Sequence, residues 1–268
     1  MFLLRILSPV ANLSALTGAA GLVVRHRGLV AALTSRELTD RYAGQMLGAA
    51  WAIISPLLTM LIYVLVFTFI FRGRLGEIEN TTAFTAYALA GLAPWVSFTE
   101  GASRAVGAIT GNSNLVKQIV FPVEVLPLKI VLAAGAAGMS GLLDVPRFLL
   151  LIVPAVLGYF FFLAGVSYFL ASVGVFFRDM KDIVAFILGV GLFLNPILYP
   201  PGAAPPWLEA TFAYNPIANI VFCFHHAIVG PVDPPNYSLI FLPIVSIIFF
   251  ALGWRTFQLL KPSFGNAL

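Results

Sequence analysis

Between residues 35 and 71 the chain reads SRELTDRYAGQMLGAAWAIISPLLTMLIYVLVFTFIF. Four charged residues crowd its first seven positions, the last of them Arg41, and no further charge follows until Arg72. The uncharged run exceeds the roughly 20 apolar residues that a helix needs to cross a bilayer. The stretch therefore predicts a polar segment that leads directly into a membrane-spanning helix.

The composition of the whole chain is that of an integral membrane protein. Of its 268 residues, 60% are hydrophobic and 10% are charged, whereas soluble domains carry about 25% charged residues. The net charge of +4 does not indicate nucleic-acid binding, because no basic cluster is interleaved with aromatic residues. A soluble enzyme and a nucleic-acid-binding domain are therefore not expected.

Long uncharged stretches predict an all-α integral membrane fold with six transmembrane helices. Residues 1–48 are expected to form an N-terminal cytoplasmic segment, and residues 49–268 the transmembrane domain. The predicted helices span roughly 49–71, 84–106, 126–143, 149–176, 183–200 and 237–259.

The positions of Lys and Arg predict the orientation in the membrane. With the N-terminus in the cytoplasm, twelve of these residues fall on the inner side and three, Arg72, Arg74 and Arg147, on the outer side. Positive charge accumulates in cytoplasmic loops, so both termini are expected to be cytoplasmic. A cleaved signal peptide is not expected, since no compact apolar core follows a basic start.

The segment from Leu22 to Tyr42 is predicted to be an amphipathic interface helix. Its apolar residues recur on roughly one helical face, although His26 and Glu37 interrupt that face. Gly44 and Gly48 are expected to allow the turn from the surface into the bilayer. A solvated cytoplasmic arm is the alternative.

An inner loop, GNSNLVKQIVFP (111–122), predicts a short helix that Asn112 or Ser113 caps and that Pro122 ends. So structured a connection favours a surface that meets another protein, although an ordinary connector stays possible.

A proline-rich outer segment contains NPIANIVFCFHHAIVG (215–230). Asn215 is the expected cap, Pro216 the first helical residue and Gly230 the end. A helix of about 14 residues is too short to span a bilayer, so a short re-entrant helix is predicted between helices five and six, in the outer leaflet or as a lid. Its expected outer-gate residues are Pro216, His225 and His226.

Catalytic motifs are missing from the sequence. It has no Walker-type GxxxxGK[ST] stretch, no HExxH, no cysteine cluster and no GxSxG, so no metal site, no cofactor and no enzymatic activity are expected. Glu100 is expected to pair with Arg104 one turn later, and no acid falls in the middle of a predicted span. Energy for any transport must therefore come from another chain.

Tyr63, Phe67 and Phe71 recur every four residues along the first predicted span. Such an aromatic stripe is typical of helix packing, but it would also suit a sugar pathway, where rings stack on sugar C–H groups.

Several motifs resemble the permease subunits of ABC exporters for lipid-linked polysaccharides, the Wzm and TagG type. That family's R-Y-x-x-x-x-L-G-x-x-W-x-x-x-x-P pattern is matched by Arg41, Tyr42, Leu47, Gly48, Trp51 and Pro56. Further matching stretches are AGLAPWVSF (90–98), NSNLVKQIVFPVEVLPL (112–128), VFFRDMKDI (175–183) and NPI (215–217).

The resemblance implies a half-transporter in the bacterial inner membrane that pairs with a second copy of itself. It also implies two separate ATP-binding cassette subunits that bind ATP and Mg, and a channel for an undecaprenyl-diphosphate-linked polysaccharide, with O-antigen the first expectation and capsule or teichoic acid left open. The expected ATPase contacts are Arg36, Arg41, Asn114, Lys117 and Gln118. The expected channel-lining residues are Tyr63, Phe67, Phe71 and Tyr199.

Two other functions stay open at this point. An exporter of drugs or small lipids would share the fold. A membrane enzyme acting on lipid-linked sugars would have to use Glu209, His225 and His226, whose spacing matches no nucleophile–base arrangement.

Overall fold

The computed structural model describes residues 18, 21–22, 24–40, 44–66, 69, 81–117, 122–138, 149–200, 202–229 and 238–268. Every regular element in these ranges is helical. The α-helices are α1 (Arg27–Asp40), α2 (Trp51–Leu65), α3 (Thr81–Ala105), α4 (Ser113–Val116), α5 (Val125–Gly138), α6 (Leu149–Gly174), α7 (Met180–Leu194), α8 (Pro206–Phe212), α9 (Pro216–Val229), α10 (Ser238–Leu260) and α11 (Phe264–Ala267).

Six of these helices, α2, α3, α5, α6, α7 and α10, overlap the six predicted spans. Among the described residues, two stretches are long and apolar enough to cross a membrane, Ile152–Gly174 and Ile240–Ala267. The bent pair α8 and α9 adds a third if it is counted as one span. The described part of the fold is thus all-helical with two or three long apolar spans, and the count of six stays a prediction.

Helices α6 and α10 form the most extensive helix pair of the fold. Glycine makes their close approach possible, because a Cβ on Gly253 would overlap the backbone of Gly165. On the same side, the Tyr168 ring packs edge-on against Trp254, with 4.9 Å between the ring centroids. Its hydroxyl donates to the carbonyl of Glu124 over 2.9 Å, which ties α6 to the segment just before α5.

Helix α9 lies inside the protomer, where α3, α6 and α10 pack against it. Nearly every residue from Ala218 to Ala227 is buried. Asn215 caps the helix as predicted, since its Oδ1 accepts the N–H of Ile217 over 3.0 Å. The predicted end at Gly230 lies outside the described residues. The preceding helix α8, bent by 83° from α9, had not been predicted.

Helix α7 ends at Leu194, earlier than the predicted end at residue 200. Asn195 leaves the helical conformation, and its amide donates to the carbonyl of Gly191 over 2.6 Å. Pro196 follows, and the residue before a proline is disfavoured in a helix. The predicted boundary was therefore wrong because this local stop was missed.

Helix α1 covers much of the segment from Leu22 to Tyr42, whose role as an amphipathic interface helix stays a prediction. Gly44 and Gly48 have φ angles of +81° and +50°, which confirms that glycine permits the turn between α1 and α2. Asn112 does occupy the N-cap position of α4, but its amide donates to the carbonyl of Ala108 and gives no side-chain cap.

Candidate functional site

A groove of about 430 Å³ lies between α2, α3 and α7. We call it the hydroxyl groove after its hydroxyl-bearing residues, which are Ser55, Thr59 and Tyr63 of α2 and Thr99 and Ser103 of α3. The three residues of α2 are four positions apart, so they fall on one helical face. Glu100 also lines the groove, and α7 contributes Leu188, Gly189 and Leu192.

Two hydroxyls in the groove donate within their own helices. Thr59 Oγ1 donates to the carbonyl of Ser55 over 2.9 Å, and Thr99 Oγ1 donates to the carbonyl of Val96 over 2.9 Å. A hydroxyl that donates its proton within the helix can still accept a hydrogen bond through its oxygen. The groove therefore presents acceptors to a ligand that is rich in hydroxyl donors.

Helix α7 approaches α3 closely behind the groove. Trp95 is almost fully buried there, and a Cβ on Gly191 would lie 2.7 Å from its ring. Glycine at position 191 therefore sets the separation of these two helices.

Helices α2 and α7 each also carry an exposed apolar stripe. The stripe on α2 consists of Ile53, Leu57, Leu58, Leu61, Ile62 and Leu65. The stripe on α7 consists of Ile183, Phe186, Ile187, Val190, Phe193 and Leu194. With 3.6 residues per turn, each stripe is centred on the side of its helix opposite to the residues that line the groove.

A second cavity, the inner pocket, measures about 260 Å³ and lies next to the hydroxyl groove. It is lined by Glu37 of α1, by Ser103 and Arg104 of α3, by Gly107, Ala108 and Asn112 beyond α3, by Ile130 of α5 and by Lys181 of α7. Because Ser103 lines both cavities, the pocket and the groove meet at this residue.

An ionic cluster joins α1 to the helices behind the inner pocket. The Glu37 carboxylate lies 2.8 Å from Lys129 Nζ and 3.5 Å from Arg104 Nη1. Arg104 Nε is also 3.5 Å from Glu100 Oε1, which confirms the predicted pair. Glu37, which interrupts the apolar face of α1 in the sequence, thus has a packing role that the local pattern did not reveal.

A larger cavity, of about 800 Å³, lies among α5, α6 and α10. Its walls are almost wholly apolar, and the Tyr168 hydroxyl at its edge is already bonded to Glu124. Such a surface suits hydrocarbon chains, so the polar groove is the better candidate for a hydrophilic ligand.

Of the predicted channel-lining residues, Tyr63 lies in the hydroxyl groove. Phe67 and Phe71 fall outside the described residues. Tyr199 lies apart from the groove, where its hydroxyl donates to the carbonyl of Phe193 over 3.1 Å.

Three of the predicted ATPase-contact residues lie on α1, on α4 or directly after α4. Arg36 forms an exposed ion pair with Asp40 at 3.0 Å, and pairs of this kind contribute little stability. Asn114 and Lys117 are exposed on and just after α4. Arg41 and Gln118 fall outside the described residues, and the role of all five stays a prediction.

The predicted outer-gate residues all belong to α9. Pro216 begins the helix, and His226 is half-buried. His225 is 2% exposed and stacks on Tyr87, with 3.7 Å between ring centroids. Within the described part of the chain, neither nitrogen of the His225 ring has a hydrogen-bond partner. His225 is therefore an interior packing residue in this protomer.

The hydroxyl residues of the groove were not predicted from the sequence. Ser55 and Thr59 continue the four-residue spacing of Tyr63, Phe67 and Phe71 towards the start of the helix. Extending the aromatic stripe by two steps would have found them. No group of three His, Cys, Asp or Glu residues that could hold a metal occurs in the described ranges.

Comparison with known proteins gives a consistent result. The family model of the ABC-2 type transporter matches residues 28–228. The chain is 28% identical to the O-antigen export system permease protein RfbA of Myxococcus xanthus, over 91% of this chain and 96% of that protein. It is 26% identical to the RfbA protein of Klebsiella pneumoniae, over 90% and 95%. It is 24% identical to the polysialic acid transport protein KpsM of Escherichia coli, over 85% and 92%.

Proposed function

Because this chain belongs to the ABC-2 type transporter family, we propose that it is the permease of an ATP-driven exporter that carries polysaccharide across the bacterial inner membrane. Relatives that match it along nearly their whole length are export permeases for O-antigen and for polysialic acid. The role is transport and not catalysis. Among polysaccharides we propose O-antigen as the substrate, since the O-antigen permeases are the more similar of these relatives.

The hydroxyl groove is the structural observation that carries this proposal. A polysaccharide offers many hydroxyl donors and an apolar face on each ring. Thr59 and Thr99 offer acceptor oxygens, and Tyr63 offers an aromatic face with a hydroxyl at its tip. These groups bind each sugar weakly and repeatedly, as a moving chain requires.

The groove is half of a channel in this proposal, and a second copy of the chain supplies the other half. The exposed apolar stripes of α2 and α7, on the faces of these helices away from the groove, suit contact with lipid or with a second protomer. Closing the groove in this way shields its polar side chains from lipid. Six spans would bring both termini to the same side of the membrane, and the excess of Lys and Arg in the proposed inner segments favours the cytoplasm.

Two separate ATP-binding cassette subunits, which bind ATP and Mg, would supply the energy, since this sequence has no Walker-type site. The exposed residues Asn114 and Lys117 and helix α1 are the proposed contact surface for those subunits. Helix α1 can transmit their movement because Glu37 links it to both α3 and α5.

Deletion of the gene, together with purification of the tagged chain, tests this function. Cells without the chain should retain a lipid-linked glycan in the cytoplasmic leaflet, and the tagged chain should co-purify with an ATPase and with a differently tagged second copy. Normal surface glycan in the deletion strain, with no intracellular accumulation, would contradict the proposal.

A further inference from the structure

We propose that the inner pocket is a binding site for a phosphate or diphosphate group and that it lies at the inner mouth of the hydroxyl groove. This inference deepens the proposed function, on which it rests, because it assigns the residues that hold the anionic end of a membrane-tethered glycan. The pocket volume of about 260 Å³ equals that of roughly nine water molecules at about 30 Å³ each. A phosphate or diphosphate group fits in such a space.

The charges of the pocket favour an anion. Glu37 lies in its wall, but Lys129 is only 2.8 Å away and neutralises that carboxylate from behind. Arg104 then contributes a cation whose two ion-pair distances are both long, at 3.5 Å. Of the charged residues that line the pocket, Arg104 and Lys181 are cations and Glu37 is a carboxylate, so two cations stand against one carboxylate.

Donors remain available on both of the lining cations. Arginine carries five N–H donors, and the described contacts of Arg104 use Nε and Nη1 but not Nη2. The ammonium of Lys181 has no acceptor within the described ranges. Its neighbours Asp179 and Asp182 do not line the pocket. The two cations can therefore hold one anion between them without breaking a short ion pair.

The Lys181 side chain passes near Gly107. A Cβ on Gly107 would be in ordinary van der Waals contact with it, 3.7 Å from Lys181 Cε and 4.0 Å from its Nζ, so the lysine ammonium lies beside the segment just beyond α3. Arg104 lies one turn earlier in the same segment. The start of α7 and the end of α3 thus bring the two cations to one cavity.

Ser103 connects this site to the transport pathway. It lines the inner pocket together with Arg104 and the hydroxyl groove together with Thr99. An anion held in the pocket would place the first sugar attached to it at the beginning of the groove. The pocket therefore sets which end of the substrate enters first.

Binding to the purified full chain in nanodiscs of neutral lipid tests the site without any ATPase or transport. The probe is farnesyl diphosphate, with farnesol as the phosphate-free control. Lys181→Gln should weaken the binding of farnesyl diphosphate about tenfold, as expected for the loss of one charge-assisted hydrogen bond. Lys181→Arg should retain most of the wild-type affinity. Arg178→Gln, an exposed cation three positions earlier, is the matched control and should change affinity less than twofold.

Inorganic pyrophosphate and vesicles of phosphatidylglycerol separate the possible sources of the anion. If pyrophosphate competes with farnesyl diphosphate, and Lys181→Gln weakens this competition, the site binds the free anion as well as a lipid-borne one. An equal loss of affinity in Lys181→Gln and Arg178→Gln, equal binding of farnesol, or equal competition by phosphatidylglycerol would overturn the proposal.

Because Lys181 has no partner in the described structure, its variant should fold normally, which size-exclusion chromatography checks. Binding that depends on Lys181 in a chain that exports no glycan would refute the proposed function and leave the phosphate site intact.

Discussion

The carboxylate of Glu37 lies 2.8 Å from the ammonium of Lys129, and this contact holds α1 against α5. Lys129 is only 7% exposed, so loss of its partner would leave a largely buried positive charge. Removing one member of such a pair is far more destabilising than the pair is stabilising, because the remaining charge stays desolvated.

Glu37→Gln should therefore lower the free energy of unfolding by about 1–3 kcal/mol, below the range for fully buried pairs since Glu37 is partly exposed. Denaturation of the full chain in mixed micelles measures this change. The double variant Glu37→Gln/Lys129→Met should recover much of the loss, because it also removes the stranded charge. Additive losses in the double variant would show that the two residues do not interact.

Gly191 allows α7 to pack against α3, and Gly189 provides a matched control on the same helix. Gly191→Ala should cost about 1–3 kcal/mol, because its Cβ would meet the Trp95 ring. Gly189→Ala meets nothing within 4 Å and should be neutral or stabilise the helix by up to about 1 kcal/mol. Unfolding midpoints of the two variants check the contrast, and equal midpoints would contradict the described helix separation.

Asn215 makes two contacts that substitutions can separate. Its Oδ1 caps α9, and its amide donates to Asn195 Oδ1 over 2.9 Å. Asn215→Asp keeps the cap and loses the donor, whereas Asn215→Ala loses both. The midpoint of thermal unfolding should therefore be highest for the wild type, lower for Asn215→Asp and lowest for Asn215→Ala. The cap should contribute about 1 kcal/mol of this stability. An Ala variant as stable as wild type would show that neither contact matters.

Loss of hydroxyl acceptors in the groove should reduce export without loss of assembly. Thr59→Val keeps the side-chain shape and removes the hydroxyl, so export should fall severalfold while the amount of purified dimer is unchanged. Thr211→Val removes a hydroxyl that also donates within its own helix but lies outside the groove, and it serves as the control. Parallel loss of dimer and export in Thr59→Val would mean that the residue serves packing alone.

Substitutions of Lys117 test the proposed contact with the ATPase. Reversal of its charge in Lys117→Glu should weaken ATP-stimulated export several-fold while membrane insertion stays normal, and Lys117→Arg should retain activity. Export by proteoliposomes that contain both subunits is the measurement. Unchanged export in Lys117→Glu would remove this residue from the contact.

Features that depend on neighbouring residues were predictable from the sequence. The cap at Asn215, the pair of Glu100 with Arg104, and the glycine turn at Gly44 and Gly48 all follow rules that act within one helical turn or one backbone position. The long apolar spans were predictable as well, because chain length and composition determine them.

Contacts between distant segments were not predictable in the same way. A single sequence gives no sign that Glu37 meets Lys129, or that His225 stacks on Tyr87. In the groove, Ser55 and Thr59 could have been found by their spacing, but their approach to Thr99 depends on how α2 packs against α3. Sequence patterns thus indicated the helices and some local contacts, whereas tertiary packing created the candidate site.

The glycine seam between α6 and α10 has a consequence for biosynthesis. Helix α10 emerges late from the ribosome, whereas α6 is synthesised much earlier. Gly253 of α10 packs against the backbone at Gly165 of α6, and this contact site on α6, the notch, has to wait for α10. A nonsense codon before Ser238 would leave that notch unfilled in the bilayer. Such truncated chains should be degraded by membrane proteases and should not persist as half-active permeases.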